Sequence, residues 1–338
     1  MRLHFRSALC AAVIALATSS VSAAEWIMPT PYGAGNFQTQ NAQAFADEVA
    51  RETNGAVTIT LHPAGSLYPH GDIPRAVMDG DAQIGEVLLS TLSSMHPAFG
   101  ADSLPFVATT YSEASALWEE ERGVLSRLMR ERGLIPLYAV PWPPQGLYSL
   151  NEMTSGANLR GTSFRTYNAM LDQLAQSVGA RPTQVEVKDI PDAFRDGRID
   201  VMLTSATTGV ITQAWDYLDV FYDIQAWLPK NIVFVNADAW NKLDRETQNI
   251  ILRAARNAEE RGWLSSMVDA VEAVKTLFDN GMVILTTDSE VMTDASGGQM
   301  RGVDPQLVEA LRDAAQQIKA DWIRSAGADG QIMLRQLN

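Results

Sequence analysis

Residues 244–279 keep one helical pattern without a proline. Ile250, Ile251, Ala254, Ala258, Leu264, Met267, Val268, Val271, Val274 and Phe278 recur at helical spacing. Asp244 is placed to cap the first turn, with Leu243 stapling back onto it. Gly281 sits just past the end, where helices commonly stop. A continuous helix of this length measures ~54 Å at 1.5 Å per residue. That exceeds the width of one small lobe, so the pattern predicts a helix bracing two. Gly262 offers the alternative of two shorter helices meeting at a kink. The 338 residues point the same way, because domains usually run ~100–200 residues.

The rest of the chain alternates strands and helices. Residues 25–30, 57–61 and 84–89 read as strands, with helices over 37–53 and 73–79 between them. Asn36 is a candidate N-cap, and Asn54-Gly55 a stop. This βαβαβ run predicts a parallel sheet with helices on its faces. Residues 111–132 read as a charged, exposed helix. Strands at 134–140 and 147–150 flank the Trp142-Pro143-Pro144 break. A second run places strands at 163–166, 183–187, 199–203 and 232–235, with helices at 169–178 and 191–196. The prediction is two α/β units in series.

The first residues read as a removable export signal. Arg2 and Arg6 precede an apolar stretch, then small residues end at Ala23 and Ala24. The apolar run is too short to span a bilayer, and no later run reaches ~18 apolar residues. The one cysteine, Cys10, lies inside this segment, so no disulfide framework or cysteine zinc site is expected. A net charge of −14 argues against nucleic acid or an anionic membrane as partner. Neither it nor the surface it describes excludes a small anion held locally, because screening acts beyond ~8–10 Å.

Catalytic signatures are missing from the sequence. His62, His70 and His96 lack metal-ligand spacing, and there is no P-loop, dinucleotide fingerprint or G-x-S-x-G elbow. No metal or cofactor is expected. A carboxylate-based hydrolase stays open, since acid pairs are plentiful.

Ligand sites in α/β proteins sit outside the carboxyl ends of strands. Three such places are rich in aromatic and polar residues. The first holds Tyr32, Phe37, Tyr68 and His70. The second is the segment from Trp142 through Gln145 and Gly146 to Tyr148. The third is Phe164-Arg165-Thr166-Tyr167-Asn168. Prolines and aromatics give contact area at little entropic cost. Gln145 and Asn168 offer directional hydrogen bonds. Arg165, at a strand end before a helix N-terminus, suits a bidentate grip on a carboxylate. A surface arginine or a structural ion pair is the alternative for it, and core packing the alternative for each aromatic.

Several motifs together resemble one family: Phe45-Ala46-Asp47-Glu48-Val49, His62-Pro63-Ala64-Gly65-Ser66-Leu67, Ala76-Val77-Met78-Asp79-Gly80 and Leu104-Pro105-Phe106. Leu159-Arg160-Gly161-Thr162-Ser163-Phe164-Arg165-Thr166-Tyr167-Asn168, Ile199-Asp200 and Val235-Asn236 complete the set. In order and spacing they resemble the solute receptors of tripartite ATP-independent periplasmic (TRAP) transporters, DctP type. The resemblance implies an α/β, two-lobed, periplasmic-binding-protein-like fold with a long bracing helix. It sets the expected division at 1–24 signal peptide, 25–148 mainly lobe 1 with later chain returning to it, 149–235 mainly lobe 2, and 236–338, the long helix and C-terminal helices, bracing both. It further implies a periplasmic, monomeric receptor that passes a small organic anion to TRAP membrane permease subunits, without enzymatic turnover. Arg165 fills the place of the family's carboxylate-holding arginine. Thr204 and Ser205 stand where an asparagine is usual, so hydroxyl contact is expected there. Leu88 and Gly146 occupy the places of a glutamate and a second arginine in the sialic-acid receptors. That argues for a smaller acid, either aromatic or a hydroxy acid. The expected ligand-binding residues are Arg165, Gln145, Trp142, Tyr148, Tyr167, Asn168, Ser205, Asn231, Tyr68, Glu86 and Leu88. An ABC-type receptor is the alternative within transport.

Overall fold

Local signals set most element ends. A computed structural model describes residues 23–287 and 300–337; the expected export signal, apart from Ala23 and Ala24, lies outside them. Strand β1 (Ala24–Pro29) leads to helix α1 (Phe37–Glu52), whose Asn36 cap accepts from Gln38 N–H. Strand β2 (Val57–His62), helix α2 (Ile73–Met78) and strand β3 (Ile84–Leu88) follow. Helix α3 (Tyr111–Arg130) opens on a capping box between Thr110 and Glu113. It was expected to be exposed. Instead it buries Leu117, Trp118, Glu121, Val124 and Leu125 along one face, because its many charges lie on the opposite side.

Strands β4 (Leu134–Pro141) and β5 (Gln145–Ser149) flank the proline break. The second run is strand β6 (Ser163–Thr166), helix α4 (Ala169–Ser177), strand β7 (Arg181–Gln184), helix α5 (Ile190–Arg195), strand β8 (Val201–Ser205) and helix α6 (Ala206–Ile211). Strands β9 (Val220–Asp223) and β10 (Lys230–Asn236) and helix α7 (Ala237–Asn241) precede helix α8 (Arg245–Asp279). Strands β11 (Val283–Thr286) and β12 (Met300–Gly302) and helix α9 (Pro305–Met333) complete the described chain.

Strand pairing departs from the sequence expectation at two places. β1 and β2 are parallel, as expected, but β3 pairs antiparallel with β10, which lies between β3 and β4. Residues 232–235, expected in the second unit, therefore return to the first sheet. Strand β5 joins β8 and β9 in a seven-stranded sheet of order β12-β11-β9-β5-β8-β6-β7, so a boundary at 148/149 falls inside a strand. Two crossings, at residues 142–144 and 224–229, connect the sheets. They are tied together by Gln145 N–H to Trp227 O (2.9 Å) and Trp142 N–H to Pro229 O (2.7 Å).

Helix α8 is one continuous element of 35 residues, about 52 Å long. It packs on α1 and β4 near its start and on α6 and β11 toward its end. Gly262 is a contact point rather than a break. A Cβ there would lie 2.4 Å from Val140 Cγ2 and 2.8 Å from Asn41 Nδ2, so only glycine lets the helix approach β4 this closely. Its covered face is built largely from small residues, Ala254, Ala255, Ala258, Gly262, Ser266 and Ala273, with Ile251 and Leu277 near the two ends. Leu264, Met267, Val268 and Val271, part of the same periodic set, are exposed.

Candidate functional site

The carboxyl ends of β1, β2, β3, β6, β7 and β8 converge on one cavity of ≈ 200 Å³, as strand-end geometry predicts. Its first-lobe wall includes Pro31, Tyr32, His70 and Leu88, and its second-lobe wall Arg165, Tyr167, Glu186, Lys188, Ser205 and Thr208. Trp142, Gln145 and Pro229, from the crossings, line it too. The lobes meet at its edge, where Asn168 Nδ2 donates to Ser90 Oγ at 3.1 Å.

Arg165 dominates the electrostatics. It is only 2% exposed and sits on β6 between β7 and β8. Its Nε donates to Val185 O at 2.9 Å, and its guanidinium lies 4.9 Å from the Tyr167 ring centroid. Burial pulls its pKa down to about 10, partly opposed by Tyr167 and Glu186. It stays charged at neutral pH, and its two Nη groups are left for an anion. A buried charge without a close counter-ion is costly unless a ligand supplies one.

His70 has the opposite character. Burial lowers its pKa to about 4, so the ring is neutral at neutral pH. Leu88 N–H donates to its Nε2 at 3.1 Å, which puts the ring proton on Nδ1. Nδ1 faces Glu186 Oε2 across the cavity mouth at 4.0 Å.

Behind the wall lies a polar relay. Tyr32 OH and Trp142 Nε1 both donate to Asn231 Oδ1 (3.2 and 2.9 Å). Asn231 Nδ2 and Thr30 Oγ1 donate to Glu86 (2.9 and 2.6 Å). The Tyr32 and Trp142 rings pack edge to face at 4.9 Å. Glu86, fully buried, has its pKa raised by desolvation, with both hydrogen bonds opposing the shift.

The expected residues divide accordingly. Arg165, Gln145, Trp142, Tyr167, Ser205 and Leu88 line the cavity. Asn231 and Glu86 stand behind it, fixing Tyr32 and Trp142. Gln145, expected to meet ligand directly, is engaged within the protein: Nε2 donates to Pro143 O and Oε1 accepts from Tyr167 OH (both 3.0 Å). Asn168 caps α4 through Leu171 N–H and joins the lobes. Tyr148 points the other way. Its hydroxyl donates to Ser205 O at 3.1 Å and its ring packs on Phe221. Gly146 shares that side, where an added Cβ would meet Phe221 at 2.3 Å, so this position has no room for any side chain. Tyr68 packs against the core beside the cavity but not on its wall. Sequence reasoning missed Glu186, Val187, Lys188 and Thr208. The end of the predicted strand 183–187 was the available signal for the first three.

Two α/β bodies closing on a small cavity with one buried, unneutralised cation define a cleft receptor for a small anion. Residues 15–298 match the model of the bacterial extracellular solute-binding protein family 7, DctP, and the chain belongs to that family: it is a TRAP-type solute receptor. The Bordetella pertussis receptor DctP7, described as binding pyroglutamic acid, is 37% identical. Its match covers 93% of this chain and 99% of that one, with a TM-score of 0.87. DctP6 of the same organism, also described as binding pyroglutamic acid, is 34% identical over 93% and 99%, with a TM-score of 0.85. A Nostoc sp. monocarboxylate 2-oxoacid-binding periplasmic protein is 26% identical, over 90% of this chain and 86% of its own length. Among the described residues no helix is long and apolar enough to cross a membrane.

Proposed function

We propose that this receptor is exported by cleavage of its N-terminal signal and works in the periplasm. There it captures a small cyclic monocarboxylate of the pyroglutamate type and delivers it, chemically unchanged, to TRAP permease subunits. Buried Arg165 carries the reading, since it needs an anion that the chain does not supply. Its Nη groups hold the ligand carboxylate. Tyr32, Leu88, Trp142 and Pro229 pack the ring. His70 Nδ1–H, the Glu186 carboxylate and the Ser205 and Thr208 hydroxyls supply donors and acceptors for a lactam edge. The ≈ 200 Å³ cavity lies below the ~300–1,000 Å³ range of drug-sized ligands. The two Bordetella receptors support the choice of acid.

Calorimetric titration with pyroglutamate, 2-oxo acids, uronates and dicarboxylates tests it. Pyroglutamate is expected to bind with one-to-one stoichiometry, and Arg165→Ala to lose ~2–5 kcal/mol, as for a truncated buried charge pair. Unchanged affinity in that variant would sink the assignment of Arg165. Preference for a uronate would sink the ligand class, and recovery of a chemically altered ligand would favour the hydrolase alternative.

A further inference from the structure

Helix α8 has a second apolar row that nothing in the described chain covers. Leu264, Met267, Val268 and Val271 are 63%, 40%, 56% and 71% exposed. Their i, i+3, i+4, i+7 spacing makes them one continuous strip. Scattered exposed apolar residues are ordinary, but a contiguous strip is a candidate association surface. None of the four lines the ligand cavity, so the strip serves something other than capture of the acid.

Charges frame the strip in a particular order. On the same side of the helix, exposed Glu260 and Arg256 precede it, and exposed Lys275 and Asp279 follow it. Taken at these positions from Arg256 to Asp279, the row reads basic, acidic, four apolar residues, basic, acidic, with exposed Glu272 flanking it beside Val268 and Val271. This pattern is complementary to its own reverse. Laid antiparallel on a copy of itself, with a two-fold axis between Met267 and Val268, it sets Met267 against Val268 and Leu264 against Val271. The same axis sets Glu260 against Lys275 and Arg256 against Asp279. One axis satisfies every pair, and each contact occurs twice, as an isologous interface requires. A parallel, in-register arrangement would instead face like charges at all four positions, which is unfavourable. Lys275 already bonds Asp279 within its own helix, so the antiparallel pairing joins the four charges into one network at each end.

We propose that this face of α8 is a homodimer interface, in which two copies of the chain pack their long helices antiparallel about an axis between Met267 and Val268. The interface runs about 36 Å along each helix. It replaces the monomer expected from the receptor class and leaves the cavity residues untouched.

Sedimentation of the exported chain over a wide concentration range tests the proposal. The expected result is a concentration-dependent dimer. Glu260→Lys should weaken it at least about tenfold, which corresponds to ~1.4 kcal/mol, and the combined Glu260→Lys and Lys275→Glu variant should restore it. Val268→Asp should give a monomer. Every variant should still bind the carboxylate bound by the unaltered chain, which shows that it has folded. A chain that is monomeric throughout overturns the proposal, and loss of uptake by Val268→Asp with binding intact would then assign the strip to the membrane partner. A dimer indifferent to Glu260→Lys, or not restored by the charge swap, also overturns it.

Discussion

Arg165 and Lys230 are both buried cations, and the fold treats them differently. Lys230, the first residue of β10, is wholly buried and its Nζ lies 3.0 Å from Glu121 Oε2. Its backbone N–H donates to Asp102 Oδ2 at 2.7 Å, and Ser103 donates to the same carboxyl group. Two acids thus surround one cation, and desolvation raises both carboxyl pKa values, that of Glu121 to about 7. Arg165 has a carbonyl and an aromatic ring, but no carboxylate in contact. The first arrangement gives its cation a carboxylate partner within the protein, although Glu121 Oε1 is left buried without a hydrogen bond. The second is left incomplete on the side that faces the cavity. Burial alone therefore does not separate the two cations; what singles out Arg165 is burial without a carboxylate in contact, beside a cavity.

The largest expected effect is at Lys230. Lys230→Met leaves two acids buried without their cation and should destabilise folding by about 3–5 kcal/mol, read by denaturant unfolding. A smaller loss would mean that the cluster is more hydrated than its burial suggests. Arg165→Met should do the reverse, weakening ligand binding by about 2–5 kcal/mol while leaving unfolding stability unchanged or raised, because an unneutralised buried charge is removed. Equal destabilisation by the two variants would erase the contrast.

The pH dependence separates them further. The Glu121 pKa is raised in the folded state, so its contribution is complete below the unfolded carboxylate value and is lost as pH rises through about 7. Thermal unfolding should therefore show a decline in stability from about pH 4.5 to about 7, and Glu121→Gln should flatten it. Ligand affinity should be the least sensitive quantity. Arg165 titrates near 10 and His70 near 4, so affinity should stay level between those values, falling above about 10 as Arg165 loses its proton and at low pH as the ligand carboxylate gains one. A step near neutrality would show that binding is linked to a proton on a group other than Arg165 and His70.

Much of this was legible locally. Asn36 and Asp244 cap their helices as their residue types demand, and Gly281 adopts the positive φ of a helix end. The place of Arg165, at the end of a strand before an Asn-capped helix, was legible because strand ends and helix starts are short-range features, whereas its expected role came from the family resemblance. Facing was not legible. Tyr148 and Gln145 lie three residues apart on one strand, so they take opposite sides, and only the sheet's neighbours decide which side is the cavity. The same holds for α8, where two apolar rows compete and the small residues win the covered side, since they permit close approach to β4 and α1.

The sequence by itself determined that the chain makes α/β units, that one helical pattern runs over residues 244–279, and that an arginine stands at a strand end; whether that pattern breaks at Gly262, and which of its residues are covered, it left open. Tertiary structure decided that β10 returns to the first sheet, that Glu186 and Lys188 come to stand with Arg165, and that Leu264, Met267, Val268 and Val271 are left in solvent. The division has a physical reason. Caps, stops and periodicity act within a few residues, whereas neutralising a charge or covering a face depends on atoms far apart in the chain.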